Sequence, residues 1–152
     1  MSELTFTLRA YTPADEAAAI ELWRRTWQAH YPHIDFSARV DWWRKRWRNE
    51  IVPSATIMVA HDGQPIVGFV TVDPTTGYLD QFVVAPERWG TELAAALVAA
   101  AKRISPTRLA LHVNQDNVRA IRFYQKHGFV IGDTDVNPHS KAPIYLMTWQ
   151  AR

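Results

Sequence analysis

Phe6, Leu8 and Ala10 alternate with Thr5, Thr7 and Arg9, the two-residue period of a half-buried strand, and Thr12-Pro13 closes the run. The period then lengthens. Behind Pro13 and the acids Asp15 and Glu16, the apolar residues Ala19, Ile20, Trp23 and Trp27 fall on one helical face that ends near Tyr31-Pro32. A second helix opens with Asp35 or Ser37 as its cap. Val40, Trp43, Trp47 and Ile51 share its stripe, the opposite face is basic, and Pro53-Ser54 stops it. Thr56 to Ala60 and Ile66 to Val72 are β-rich runs joined across His61, Asp62, Gly63 and Gln64, and an Asp-Gly between such runs predicts a hairpin. Pro74 to Gly77 turns the chain into a buried run, Tyr78 to Ala85, cut off by Pro86. To that point the pattern is an antiparallel meander.

After a polar turn, Glu87 to Thr91, the spacing of Leu93, Leu97, Ala101 and Ile104 predicts an Ala-rich helix. A buried strand, a glycine-bearing turn and a helix bring free N–H groups and the positive end of a helix dipole to one point. Such a point suits an anion, commonly a phosphate, although an ordinary strand-to-helix connection reads the same way. Ser105-Pro106 ends the helix and Leu109 to Val113 form a further strand. With a helix between them, the crossover rule makes that strand parallel to, and near, the one at Leu79 to Ala85. A helix from Asn117 to His127, ended by Gly128, and strands at Phe129 to Ile131 and Ile144 to Trp149 complete the pattern. No repeat, low-complexity segment or linker divides the chain, so one domain spanning 1–152 is expected.

Composition narrows the function. A chain of 152 residues with 47% hydrophobic and 21% charged residues is ordinary for a folded domain and buries roughly two thirds of its unfolded surface. The formal charge of +2, despite a pI near 9.1, gives no strong pull toward nucleic acid or anionic membrane. The local basic run Arg44, Lys45, Arg46 and Arg48 reads as a solvated face paired with Asp41 and Glu50, so no nucleic-acid partner is expected. Without cysteine there is no disulfide, no thiolate nucleophile and no Cys-ligated zinc, which fits a reducing, cytoplasmic location. His30, His33 and His139 lack metal-ligand spacing with acids, and no metal is expected. Met1 to Thr7 carries Glu3 and no apolar core of a signal peptide. Leu93 to Ala101 is far shorter than the ~20 apolar residues of a membrane span. A soluble monomer or homodimer follows as the expectation.

The most specific text is the run from Leu111 to Phe129. In it, His112, Val113 and Asn114 lead through Asn117 and Ala120 to Phe123-Tyr124 and Gly128-Phe129. This resembles the GNAT superfamily of N-acetyltransferases, whose second cofactor motif runs strand, Asn, a three-residue step to Ala, then Phe-Tyr and Gly-Phe. With Val84-x-Pro86 and the order of elements, the resemblance extends from Leu8 to Trp149. It implies an α+β (α/β/α) fold: a mixed, mostly antiparallel sheet of about seven strands and about four helices. A V-shaped splay between strands 4 and 5, at Phe82 and Leu111, would hold acetyl-CoA. Strand edges that part leave N–H and C=O groups unpaired, which is costly when buried, so something must fill them. In the family the pantetheine amides pair with the strand at Phe82, Val83 and Val84. The family's pyrophosphate turn runs Gln or Arg, two residues, Gly, one residue, Gly or Ala. The matching positions are Trp89, Glu92 and Ala94, with Gly90 at a frequent additional glycine, and of the core pattern only Ala94 is kept. The turn is therefore degenerate. With Glu92 turned to solvent, the amides of Gly90, Thr91, Leu93 and Ala94 remain for the anion and Arg88 lends positive charge; the acid also stabilises a helix N-terminus.

The same resemblance implies the roles. Tyr124 matches the tyrosine that donates to the CoA sulfur as general acid, or else it is a core aromatic. His112 is the first choice of general base, since some N-terminal protein acetyltransferases of the family carry glutamate at that strand position. Asp80 is the competing base, and a packing role is the alternative for His112. A backbone N–H of Val83 or Val84 would meet the oxyanion. Asn117 reaches the cofactor or caps its own helix. The acceptor, a small-molecule or peptide amine, would meet the first two helices and the last strands. Trp43 and Trp47 lie on the buried stripe, whereas Trp42 falls off it and suits a pocket wall or dimer contact. Direct acetyl transfer to a primary amine is the function implied; a catalytically weak or inactive module of the same fold, binding acyl-CoA or a partner, is the alternative.

Overall fold

In a computed structural model of the chain, which describes residues 5–152, the helical segments are α1 (Glu16–His30), α2 (Val40–Arg46), α3 (Glu92–Ile104) and α4 (Val118–Lys126). The strands are β1 (Thr7–Ala10), β2 (Thr56–His61), β3 (Ile66–Val72), β4 (Leu79–Val84), β5 (Arg108–Asn114), β6 (Val130–Val136) and β7 (Pro143–Gln150). Strands β1–β2–β3–β4 form the antiparallel meander expected, and β5–β7–β6 form a second antiparallel sheet. The implied mixed fold of seven strands and four helices is present.

Strand β3 is apolar at nearly every position and buried along its length, because helices cover both of its faces. On one face Phe69 meets Trp47 edge-on at 5.4 Å, and Trp43 stacks on Trp23 of α1 at 4.6 Å. On the other, Leu93 and Leu97 of α3 close over Gly68. Trp43 and Trp47 are core residues, 2% and 0% exposed. The stripe that places them there is not all α-helix. From Trp47 to Ile51 the chain makes a π turn, with Val52 N–H donating to Trp47 O at 2.9 Å, which absorbs one extra residue while keeping Trp47 and Ile51 inside.

The joint between the sheets decides the architecture. In the β3–β4 ladder Thr71 faces Gln81 but Val72 faces Leu79, so Asp80 is an inserted residue. Such a bulge bends its strand and steepens the twist. Strands β4 and β5 touch at a parallel bridge, Tyr78 with Ala110, where Ala110 N–H donates to Gly77 O at 3.0 Å. Beyond it they part, which is the expected V between strands 4 and 5.

Strand β6 departs from expectation: it runs to Val136 instead of ending at Ile131, and it is exposed throughout. Its centre, Gly132 to Asp135, has no apolar alternation because it is an edge strand paired only with β7. Among the described residues no helix is long and apolar enough to cross a membrane.

Candidate active site

Hydrogen-bond phase identifies the groups that line the V. Ala85 N–H donates to Val67 O at 2.8 Å, so alternate residues of β4, Val83 and Ala85, turn their backbone groups to β3. Phe82 and Val84 turn theirs into the gap. The Val84 carbonyl accepts from Trp89 Nε1 at 2.8 Å, leaving the Val84 N–H and the Phe82 N–H and C=O along the open edge. Of the two amides expected at the oxyanion, Val84 faces the gap and Val83 faces the sheet. On β5 the Ala110 bond sets the same alternation and leaves the backbone of His112 toward the gap.

The side chains named from the sequence divide between the two faces of this gap. On the α4 side, Tyr124 packs against Phe82 at 5.8 Å and Phe129 at 5.5 Å. Its phenol is buried and bonds to no protein group among the described residues, and burial raises its pKa well above the ordinary value of 10.0. On the α1/α2 side, the Tyr78 hydroxyl lies 2.7 Å from His112 Nδ1 across the closed end of the V. Asp80 is beside them, but both its oxygens are held by Arg46 of α2, at 3.0 and 2.7 Å, and Gln81 Nε2 donates to it at 2.9 Å. A free acid and a candidate base thus stand on opposite sides of one slot.

The turn after β4 forms the slot's other end. Gly90 has φ +78, a left-handed conformation open to glycine, and a side chain there would approach Arg119 Nη2 at 3.5 Å. Thr91 caps α3, accepting from Leu93 N–H at 3.4 Å and donating to Arg88 O at 2.6 Å. Its own N–H is used by Arg88 O at 3.2 Å. The amides of Gly90, Glu92 and Ala94 therefore remain open, as the first turn of a helix requires. Glu92 is exposed. Arg88 is turned away from the turn: it is buried and ion-paired with Asp62 in the β2–β3 hairpin. Positive charge comes instead from Arg119 of α4, which lies over the Trp89 ring at 5.4 Å, with His30 of α1 at 4.5 Å from that ring. Among the described residues Arg119 pairs with no carboxylate. Asn117 caps α4, accepting from Ala120 N–H at 3.2 Å.

Residues 17–129 match the family model of the acetyltransferase (GNAT) family. The chain belongs to the GNAT family. Peptidyl-lysine N-acetyltransferase YjaB of Salmonella typhimurium is 30% identical to it over 124 residues, covering 80% of this chain and 82% of that protein. Mycothiol acetyltransferase of Stackebrandtia nassauensis is 41% identical over 73 residues, 45% of this chain but only 24% of that protein, so the chain spans about a quarter of its length. The fold is that of the PaiA N-acetyltransferase of Thermoplasma acidophilum, solved with coenzyme A, at a TM-score of 0.78 and 18% identity over 97% of this chain and 100% of that one.

Three residues of this GNAT protein escaped the sequence reading. Arg119 stands two places after Asn117 in the motif, a signal that was in view, but its place beside Gly90 and Trp89 depends on how the fold sets α4 next to the β4–α3 turn. Tyr78 and Arg46 carried no signal, since their partners His112 and Asp80 are both 34 positions away along the chain. Tyr78 and Asp80 line a recess of about 220 Å³ with Glu50, Ile51, Asp73 and Thr76, opening from the closed end of the V toward the second helix. Trp42, expected as a wall, is 42% exposed with its ring 4.9 Å from His139 of the β6–β7 loop. No metal-holding group of three or more His, Asp or Glu occurs among the described residues.

Proposed function

We propose that this protein is an acetyl-CoA-dependent N-acetyltransferase that acts by direct transfer on a lysine-type primary amine, in a peptide or a small molecule. The observation that carries this reading is the slot itself. A neutral Tyr124 phenol, without a hydrogen-bond partner among the described residues, stands on one side of the parted strands and the His112–Tyr78 pair on the other. Bound acetyl-CoA supplies the acetyl group as a thioester. The open N–H and C=O of Phe82 fit pantetheine, which would restore the pairing that β4 forgoes beyond the bridge. The amides of Gly90, Glu92 and Ala94, with Arg119, fit the pyrophosphate.

Each side chain then has a task set by its surroundings. Tyr124 holds its proton through neutral pH because burial disfavours the phenolate, so it can donate that proton to a departing thiolate. Val84 N–H faces the gap and can donate to a carbonyl oxygen there. A lysine-type ammonium, with a pKa of about 10.4, must lose a proton before it can attack, and imidazole is the side chain suited to take it near neutrality. Asp80 borders the recess but is ion-paired with Arg46 at 2.7 Å, which leaves the imidazole as the base. The name of the relative YjaB, a peptidyl-lysine N-acetyltransferase, supports a lysine-type acceptor.

Calorimetric titration with acetyl-CoA, followed by free-thiol release with lysine peptides and small amines, tests the reading. Tyr124→Phe is expected to keep acetyl-CoA binding and lose about 100-fold in kcat. Absence of heat at high micromolar acetyl-CoA rejects the reading. Binding without thiol release from any amine replaces it with a non-turnover acyl-CoA binder.

A further inference from the structure

We propose that Tyr78 is a catalytic residue of this transfer, accepting the proton of the incoming ammonium on its phenolic oxygen while its own proton passes to Nδ1 of His112. The proposal rests on the acetyltransferase reading above.

Four observations lead to it. The recess that can admit an amine is lined by Tyr78 and Asp80 and not by His112, so of the hydrogen-bonded pair it is Tyr78 that borders the entering ammonium. Nδ1 of His112 is already engaged by the Tyr78 hydroxyl at 2.7 Å. When the phenol donates that bond, the neutral imidazole carries its proton on Nε2 and has no other lone pair to offer, so a proton can reach it only through Tyr78. Asp80, the other base in reach, has both oxygens committed to Arg46 and Gln81. Finally, burial first, then the charge of Asp80, pushes the Tyr78 phenol up to about 12, against a smaller opposing pull from Arg46. Tyr78 therefore stays protonated at neutral pH and can take a proton only by giving one away.

The step balances. One N–H bond of the ammonium breaks as an O–H bond forms on Tyr78; the original O–H bond breaks as an N–H bond forms on His112. The amine becomes neutral, the imidazole becomes imidazolium, and Tyr78 ends as it began. The demand is greatest for a lysine-type amine and small for a peptide α-amine, with a pKa of about 7.7 and already partly neutral.

The test compares two acceptor peptides, one presenting a lysine side chain with a blocked N-terminus and one presenting a free α-amine without lysine. Wild type, Tyr78→Phe, His112→Ala and the double variant are assayed by thiol release, with acetyl-CoA affinity measured by calorimetry. Each single variant is expected to lose about 100-fold in kcat on the lysine peptide and about tenfold or less on the α-amine, with acetyl-CoA affinity unchanged. The double variant should lose no more than either single one, since the two groups act as a unit. Full activity in Tyr78→Phe, equal losses on both peptides, or losses that multiply in the double variant overturn the relay. Should Tyr78→Phe fail to fold, wild-type rates in mixtures of light and heavy water decide. A curved dependence, two protons moving together, is expected, and a straight line overturns the proposal. Wild-type protein that neither binds acetyl-CoA nor releases thiol with either peptide removes the acetyltransferase reading, and the relay with it.

Discussion

At Glu92 a carboxylate opens α3 where the family's turn places glycine, and it is exposed, free to swing from the amides it accompanies. Its charge still acts through solvent on an anion at Gly90 and Ala94. Glu92→Gln is expected to tighten acetyl-CoA binding by about three- to tenfold at low salt, the gain shrinking as salt screens it. Calorimetry at two ionic strengths checks both parts. The same charge stabilises the helix N-terminus by roughly 0.3–1 kcal/mol, so the tighter-binding variant should melt slightly lower. The sequence made this conflict visible because it concerns one residue and its own helix. It did not show Arg119, whose guanidinium lies beside Gly90 where Arg88 was expected to bring a cation.

Among the elements, helices α3 and α4 were the most legible, since a helix declares its buried face every three or four residues. Strand β6 was legible only in its first residues, because an exposed edge strand is specified by its neighbour's hydrogen bonds and not by its own side chains. The turn between β4 and α3 combines both cases. Its glycine was readable, but Arg88 leaves it to join Asp62 in the β2–β3 hairpin and so ties two elements together. Arg88→Leu should therefore cost about 1–3 kcal/mol in urea unfolding, by leaving the hairpin carboxylate and the carbonyl of Thr5 without their donor. Acetyl-CoA affinity should change little. A large loss of affinity with unchanged stability would return Arg88 to the anion site.

On the scale of the whole molecule, two antiparallel sheets meet at Tyr78–Ala110, and everything in the slot depends on that joint. Gly77 makes it possible: its φ is +78, and a Cβ there would stand 2.6 Å from Arg108 O, inside contact distance of the neighbouring strand. Gly77→Ala is expected to destabilise by about 2 kcal/mol or more, and to weaken acetyl-CoA binding by displacing the closed end of the V. Chemical unfolding and calorimetry on one preparation measure both; an unaffected melt would mean that the sheets are joined elsewhere. Local pattern by itself determined the order of strands and helices, the buried stripes and the family to which the motif belongs, since each is written in residues close along the chain. Only the tertiary structure decided which backbone groups of β4 face the gap, that Arg46 pairs with Asp80, and that Tyr78 engages His112. Those outcomes follow from a one-residue bulge and from contacts between distant segments, and neither leaves a periodic trace in the sequence.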